Sequence, residues 1–211
     1  MSEYLFVKPE EIERKSFEII GDILQEEGII LDEKKAPVIK RVIHTSADFS
    51  YVETLKFSDK SMEKATELIK SGASIITDTN MALSGINKKR LEKYSCKCYC
   101  FMADEDIAKK SKEAGTTRAV VSMQKALSLE GPKIIAIGNA PTALLEIDRL
   151  VKEGERKPDL VIGVPVGFVN VEYAKEVIIK TGIEYIVNMG RKGGSNIAAA
   201  IINALVLACQ E

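Results

Sequence analysis

The chain has 211 residues, 45% of them hydrophobic and 29% charged, enough apolar content for one sizeable core and too much for wholesale disorder. Thirty basic residues against 31 acidic ones leave a net charge of −1, and aromatics make up 6% with no Trp. Without a basic field or stacking surfaces, nucleic acid is not an expected partner. The first ten residues are polar and acidic, unlike a signal peptide. The longest apolar run, near Asn196–Cys209, contains Asn203 and is too short to cross a bilayer. Four cysteines do not make a disulfide framework. Residues 1–211 therefore read as a single cytoplasmic domain with no membrane partner.

In chain order, Pro9–Glu27 reads as a helix with Pro and acids in its first turn and Gly28 behind it. Ile12, Ile19, Ile20, Ile23 and Leu24 form its apolar face. A second helix spans Pro37 to about Thr45. Strands are then predicted at Thr54–Phe57, Ser74–Thr77, Lys97–Phe101, Lys133–Ile137, Leu160–Val164 and Tyr185–Met189. Helices are predicted at Ser61–Ser71, Lys88–Tyr94, Asp106–Ala114, Ala119–Leu129, Thr142–Glu153 and Val171–Thr181, and Ser195–Cys209 closes the chain. Uninterrupted apolar strands such as Lys133–Ile137 suit a sheet covered on both faces. The alternation implies an α/β fold of three layers, with a mainly parallel, doubly wound sheet. Ligands of such folds sit beyond the carboxyl ends of the strands.

Three strand-to-helix loops fall there: Ile137–Thr142, Gly163–Phe168 and Met189–Ser195. Their glycines either punctuate tight turns or let a ligand approach the backbone. Helix N-termini beside Arg191 and Lys192 favour an anion. The Gly190–Ser195 segment matches neither a Walker A loop nor a dinucleotide fingerprint, and a phosphate- or nucleotide-binding transferase stays open as an alternative.

His44 is the only histidine, within Arg41-Val42-Ile43-His44-Thr45-Ser46-Ala47-Asp48-Phe49. A lone histidine is more often structural than catalytic. An imidazole of ordinary pKa, about 6.5, nevertheless exchanges protons near neutral pH, and Asp48 is a candidate to orient it. Cys96, Cys98 and Cys100 alternate, so they share one strand face. Their spacing does not suit a metal site, and no metal is expected. Gly115-Thr116-Thr117-Arg118 reads both as a helix stop followed by a Thr cap and as an Arg fork for a carboxylate. Ser16 lies mid-helix, where a hydroxyl usually bonds its own backbone.

Together these segments resemble the precorrin-8X methylmutases, including the cobalt-precorrin-8 methylmutases. The resemblance runs from Ser16-Phe17-Glu18-Ile19-Ile20 through Arg41–Phe49, Gly115–Arg118, Ala136–Ala143, Gly163–Val169 and Gly190–Ser195 into Ala198-Ala199-Ala200. It implies a flavodoxin-like fold and a homodimer with active sites at the subunit interface. It further implies migration of a methyl group from C-11 to C-12 of a corrinoid tetrapyrrole polycarboxylate, precorrin-8 or its cobalt complex. The product is hydrogenobyrinate or cobyrinate. His44 maps onto the family's acid–base histidine. Ser16, Arg41, Thr45, Thr117, Arg118, Gly190, Arg191, Gly193, Gly194 and Ser195 map onto substrate contacts. No cofactor is implied; cobalt, where present, arrives inside the substrate. Ala119 stands where the family often has Ser. Phe49 and Phe168 are candidates to cover the macrocycle. A non-catalytic tetrapyrrole carrier is a further alternative.

Overall fold

The computed structural model describes residues 6–210. Of the polar amino-terminal stretch, residues 1–5 lie outside the described residues. A 3-10 turn over Pro9–Glu11 leads into α1 (Ile12–Glu26), followed by α2 (Ala36–Ser46), α3 (Tyr51–Thr54) and β1 (Leu55–Phe57). Then come α4 (Ser61–Lys70), β2 (Ser74–Thr77), α5 (Asn80–Gly85), α6 (Lys88–Glu92), β3 (Lys97–Tyr99), α7 (Glu105–Glu113) and α8 (Arg118–Ser128). The chain continues through β4 (Lys133–Ile137), α9 (Pro141–Lys152), β5 (Leu160–Gly163), α10 (Val171–Lys180), β6 (Glu184–Asn188) and α11 (Ser195–Ala208).

One sheet of order β1-β6-β5-β4-β2-β3 holds all six strands. Strand alternation splits its side chains between two cores. Ile134, Ala136, Leu160, Ile162 and Ile186 face the core formed with α1, α2, α4 and α11. Ile135, Ile137, Val161 and Val187 face the core formed with α7–α10. The expected three layers and buried parallel strands are therefore present. β1 pairs antiparallel with β6, Leu55 opposite Asn188. The chain leaves α2 already at the carboxyl edge, so β1 runs back down beside β6.

Two local expectations differ from the structure. The short helices α3 and α5 have no apolar period of their own; Thr79 caps α5 by accepting the Ala82 N–H at 3.0 Å. On α1 only Ile20 and Leu24 are buried, while Ile12 and Ile19 are 53% and 42% exposed, because α1 rides on the outside of α2. Asn203, a polar residue of the long apolar run, lies inside α11. Its amide donates to the Gly85 carbonyl at 2.9 Å and accepts from the Asn87 N–H at 2.8 Å, stapling the α5–α6 turn to the central helix. A Cβ on Gly85 would come 2.8 Å from the Ala199 Cβ, so that crossing requires glycine. Among the described residues no helix is long and apolar enough to cross a membrane.

Candidate active site

α2 carries the histidine of the site and an arginine beside it. Arg41 and His44 are three residues apart, hence on one helical face, and that face meets Phe17 of α1. The His44 ring stacks on Phe17 with centroids 5.1 Å apart and planes at 21°. The Arg41 guanidinium lies 4.6 Å from the centre of the same ring. Arg41 also pairs with Glu13 at 2.6 Å and draws the Glu13 carboxyl below the usual carboxylate range. His44 itself is exposed. The Thr45 hydroxyl donates to the Arg41 carbonyl at 2.9 Å, and the Ser16 hydroxyl to the Ile12 carbonyl at 2.9 Å. Each of these hydroxyls bonds its own helix and retains oxygen lone pairs for a further donor.

Ala47 ends α2 in the left-handed conformation, φ 54°, with its N–H on the Ile43 carbonyl at 2.7 Å. This turn carries Asp48 away from His44. Asp48 pairs with Lys192 at 2.6 Å and accepts the Ser50 N–H at 3.0 Å. The Lys192 ammonium, then the Ser50 hydroxyl, hold its carboxyl below the usual range. Asp48 therefore links the histidine segment to the loop after β6 and does not orient the imidazole through a hydrogen bond.

The three carboxyl-edge loops are largely filled by the protein's own groups. Asp78, directly after β2, is fully buried and accepts the N–H groups of Gly138, Asn139 and Ala140 at 2.8, 2.8 and 2.7 Å. Burial raises its carboxyl above the usual range, against those three donors. The anion site expected at the start of α9 is thus occupied by a side chain that motif reading missed; its one local signal is an acid placed just past a buried strand. A Cβ on Gly138 would meet the Ser195 Cα at 2.7 Å, and one on Gly193 the Val164 oxygen at 2.0 Å. The Gly194 N–H donates to the Val164 carbonyl at 2.9 Å. At these positions glycine serves close packing of loop on loop. Ser195 shares a 2.7 Å hydrogen bond with Thr79.

Two buried donors beneath the same loop were also missed. The Lys175 ammonium donates to the carbonyls of Gly190 and Lys192 at 2.7 and 2.9 Å. Asn188 donates to the Lys192 carbonyl at 2.9 Å and accepts from Thr54 at 2.7 Å. Above them Arg191 pairs with exposed Glu172 at 3.2 Å and lies 5.8 Å from the ring of Phe168, which is 82% exposed. Phe49 packs against the core instead.

Thr117 caps α8, accepting the Val120 N–H at 3.3 Å, and its oxygen lies 3.2 Å from that of Thr142 at the start of α9. This puts exposed Arg118 at the carboxyl edge. α8, however, packs in the layer opposite α2, so one chain holds Arg118 and His44 on opposite faces of its sheet. Cys96 and Cys98 belong to the core, Cys96 donating to the Ile69 carbonyl at 3.3 Å. Among the described residues no cluster of three or more His, Cys, Asp or Glu is placed to hold a metal.

A family model described as precorrin-8X methylmutase matches residues 11–208. The chain belongs to the precorrin-8X methylmutase family. It is 46% identical to the cobalt-precorrin-8 methylmutase of Leptospira interrogans, across 93% of this chain and 92% of that one. It is 43% identical to the cobalt-precorrin-8 methylmutase of Priestia megaterium, across 95% and 88%. The crystal structure of a precorrin-8X methyl mutase from Thermus thermophilus aligns with TM-score 0.85 at 33% identity, covering 95% of this chain and 98% of that one. As a methylmutase, the chain is an isomerase of cobalamin biosynthesis, and the family's reaction is a methyl shift on the macrocycle.

Proposed function

We propose that His44 is the acid–base group of this methyl shift, acting on a corrinoid polycarboxylate held at the carboxyl edge. The observation that carries this reading is the meeting of Arg41 and His44 on the Phe17 ring. A cation for a carboxylate, a proton carrier and an aromatic surface lie together at an exposed corner. In the reaction the methyl bond at C-11 breaks as the bond at C-12 forms. A proton lent by the imidazole to the macrocycle lets ring charge redistribute and is then returned, since substrate and product are isomers. The shift draws every atom from the substrate, and we read the chain as needing no cofactor. The Leptospira and Priestia relatives are cobalt-precorrin-8 methylmutases by name, which favours a cobalt-bearing substrate, with the metal entering as part of it.

Ser16, Arg41 and Thr45 would contact the substrate from the α1–α2 corner, and Gly190, Arg191, Gly193, Gly194 and Ser195 from the neighbouring loop. Thr117 and Arg118 would serve from a second subunit. The placement of Arg118 across the sheet from His44 supports such a homodimer. We take residues 1–211 as one domain, because the single sheet gathers strands from both halves of the chain. The free thiols suit the reducing cytoplasm.

The test is incubation with metal-free and cobalt-loaded precorrin-8, followed by absorption spectra and product identification. Conversion to cobyrinate or hydrogenobyrinate supports the reading. Binding without conversion would make the chain a carrier, and saturable nucleotide binding with no corrinoid binding would favour a transferase.

A further inference from the structure

Lys175 lies in the middle of α10 with no exposed surface. Among the described residues its ammonium has no carboxylate within ion-pair distance, only the carbonyls of Gly190 and Lys192. Burying a cation this way is unfavourable, and an apolar side chain of similar shape is often at least as stable. Burial accordingly pushes this ammonium down to about 8, opposed by the charge of Glu172. Stability alone does not account for a lysine here.

Its position accounts for it better. Among the described residues the peptide bonds are trans, and a trans peptide points its N–H opposite to its C=O. With the Gly190 and Lys192 carbonyls turned inward onto Lys175, the N–H groups of Arg191 and Gly193 turn the other way. Among the described residues neither N–H has a hydrogen-bond acceptor. Asn188 fixes the Lys192 carbonyl a second time, and the Lys192 side chain ties the loop to Asp48 and Ser50 beyond His44.

We propose that Lys175 is a positioning residue for the carboxylate rim of the substrate: it sets the Gly190–Lys192 peptides so that the N–H groups of Arg191 and Gly193 receive a carboxylate. Lys175 acts through the loop and does not touch the substrate. The assignment rests on the corrinoid reading above.

The experiment compares wild type and Lys175→Met by absorbance titration with hydrogenobyrinate and with its methyl ester. The variant loses about tenfold in affinity for the acid, the size of one charge-assisted hydrogen bond, and binds the ester as wild type does. Its KM rises while kcat at saturation holds. Lys175→Gln, which keeps a neutral donor, recovers part of the loss and carries the same comparison if the Met variant does not fold. Equal losses for acid and ester, or an unchanged affinity for the acid, would overturn the assignment. If wild type bound neither ligand, the corrinoid reading would fail first and this assignment with it.

Discussion

The α1–α2 corner and the loop cluster at the carboxyl edge contribute different things to one candidate site. At the corner the functional groups are exposed or half-buried. His44 rests on one aromatic ring, and Arg41 is held by a glutamate that is itself 61% exposed. In the loop cluster the backbone is locked from beneath by Asp78, Lys175 and Asn188, all fully buried. The contrast teaches a division of labour. The loops form a floor of fixed geometry, whereas the corner can adjust its side chains around a ligand and exchange protons with it.

The largest expected effect tests the mobile half. His44→Ala should lower turnover by ~10²–10⁴-fold, the usual contribution of a positioned acid–base group, with an unchanged urea midpoint because the ring is exposed. Wild-type turnover in that variant would move the proton step elsewhere. Asp78→Ala tests the fixed half. It orphans the N–H groups of Gly138, Asn139 and Ala140, the first of them in a buried residue, and should destabilise the fold by about 2 kcal/mol or more, read as a lower thermal midpoint. An unchanged midpoint would mean the floor is not locked by this carboxylate.

Arg41→Ala should raise KM about tenfold with a smaller change in kcat, as expected for loss of a charged hydrogen bond. Arg41→Lys should recover only part, since an ammonium lacks the flat fork that lies against Phe17. Lys175 sharpens the comparison through pH. Its folded value of about 8 lies below the ordinary 10.5. Between those values the unfolded chain holds a proton that the folded chain has released, so stability rises with pH. The gain from pH 8 to 9 should be about 1 kcal/mol and be missing in Lys175→Met, measured by urea unfolding at both pH values. The smallest effect is Thr117→Ala, which removes a helix cap and should cost about 0.5–1 kcal/mol. Arg118→Ala beside it should leave stability alone and weaken substrate binding; the reverse pattern would make this turn purely structural.

The three-layer architecture was legible in the uninterrupted apolar strands that alternate with helices. The placement of His44 at the end of α2, the cap by Thr117 and the own-helix bond of Ser16 followed from local spacing as well. The expected role of Asp48 did not hold, because the left-handed turn at Ala47 and the distant Lys192 decide where that carboxylate goes. Nor could spacing separate the buried part of α1 from Ile12 and Ile19, since exposure depends on what lies alongside the helix.

Sequence by itself determined what periodicity and capping determine: the kinds of elements, their order, the two-faced burial of the parallel strands and the family to which the motifs belong. Only the tertiary structure decided that Asp78 closes a loop 60 residues further on, that Lys175 and Asn188 turn the peptides after β6, that β1 runs antiparallel, and that Arg118 stands across the sheet from His44. Helical period and caps arise from neighbours along the chain, whereas these pairings arise from which buried donor and acceptor meet once two cores have packed.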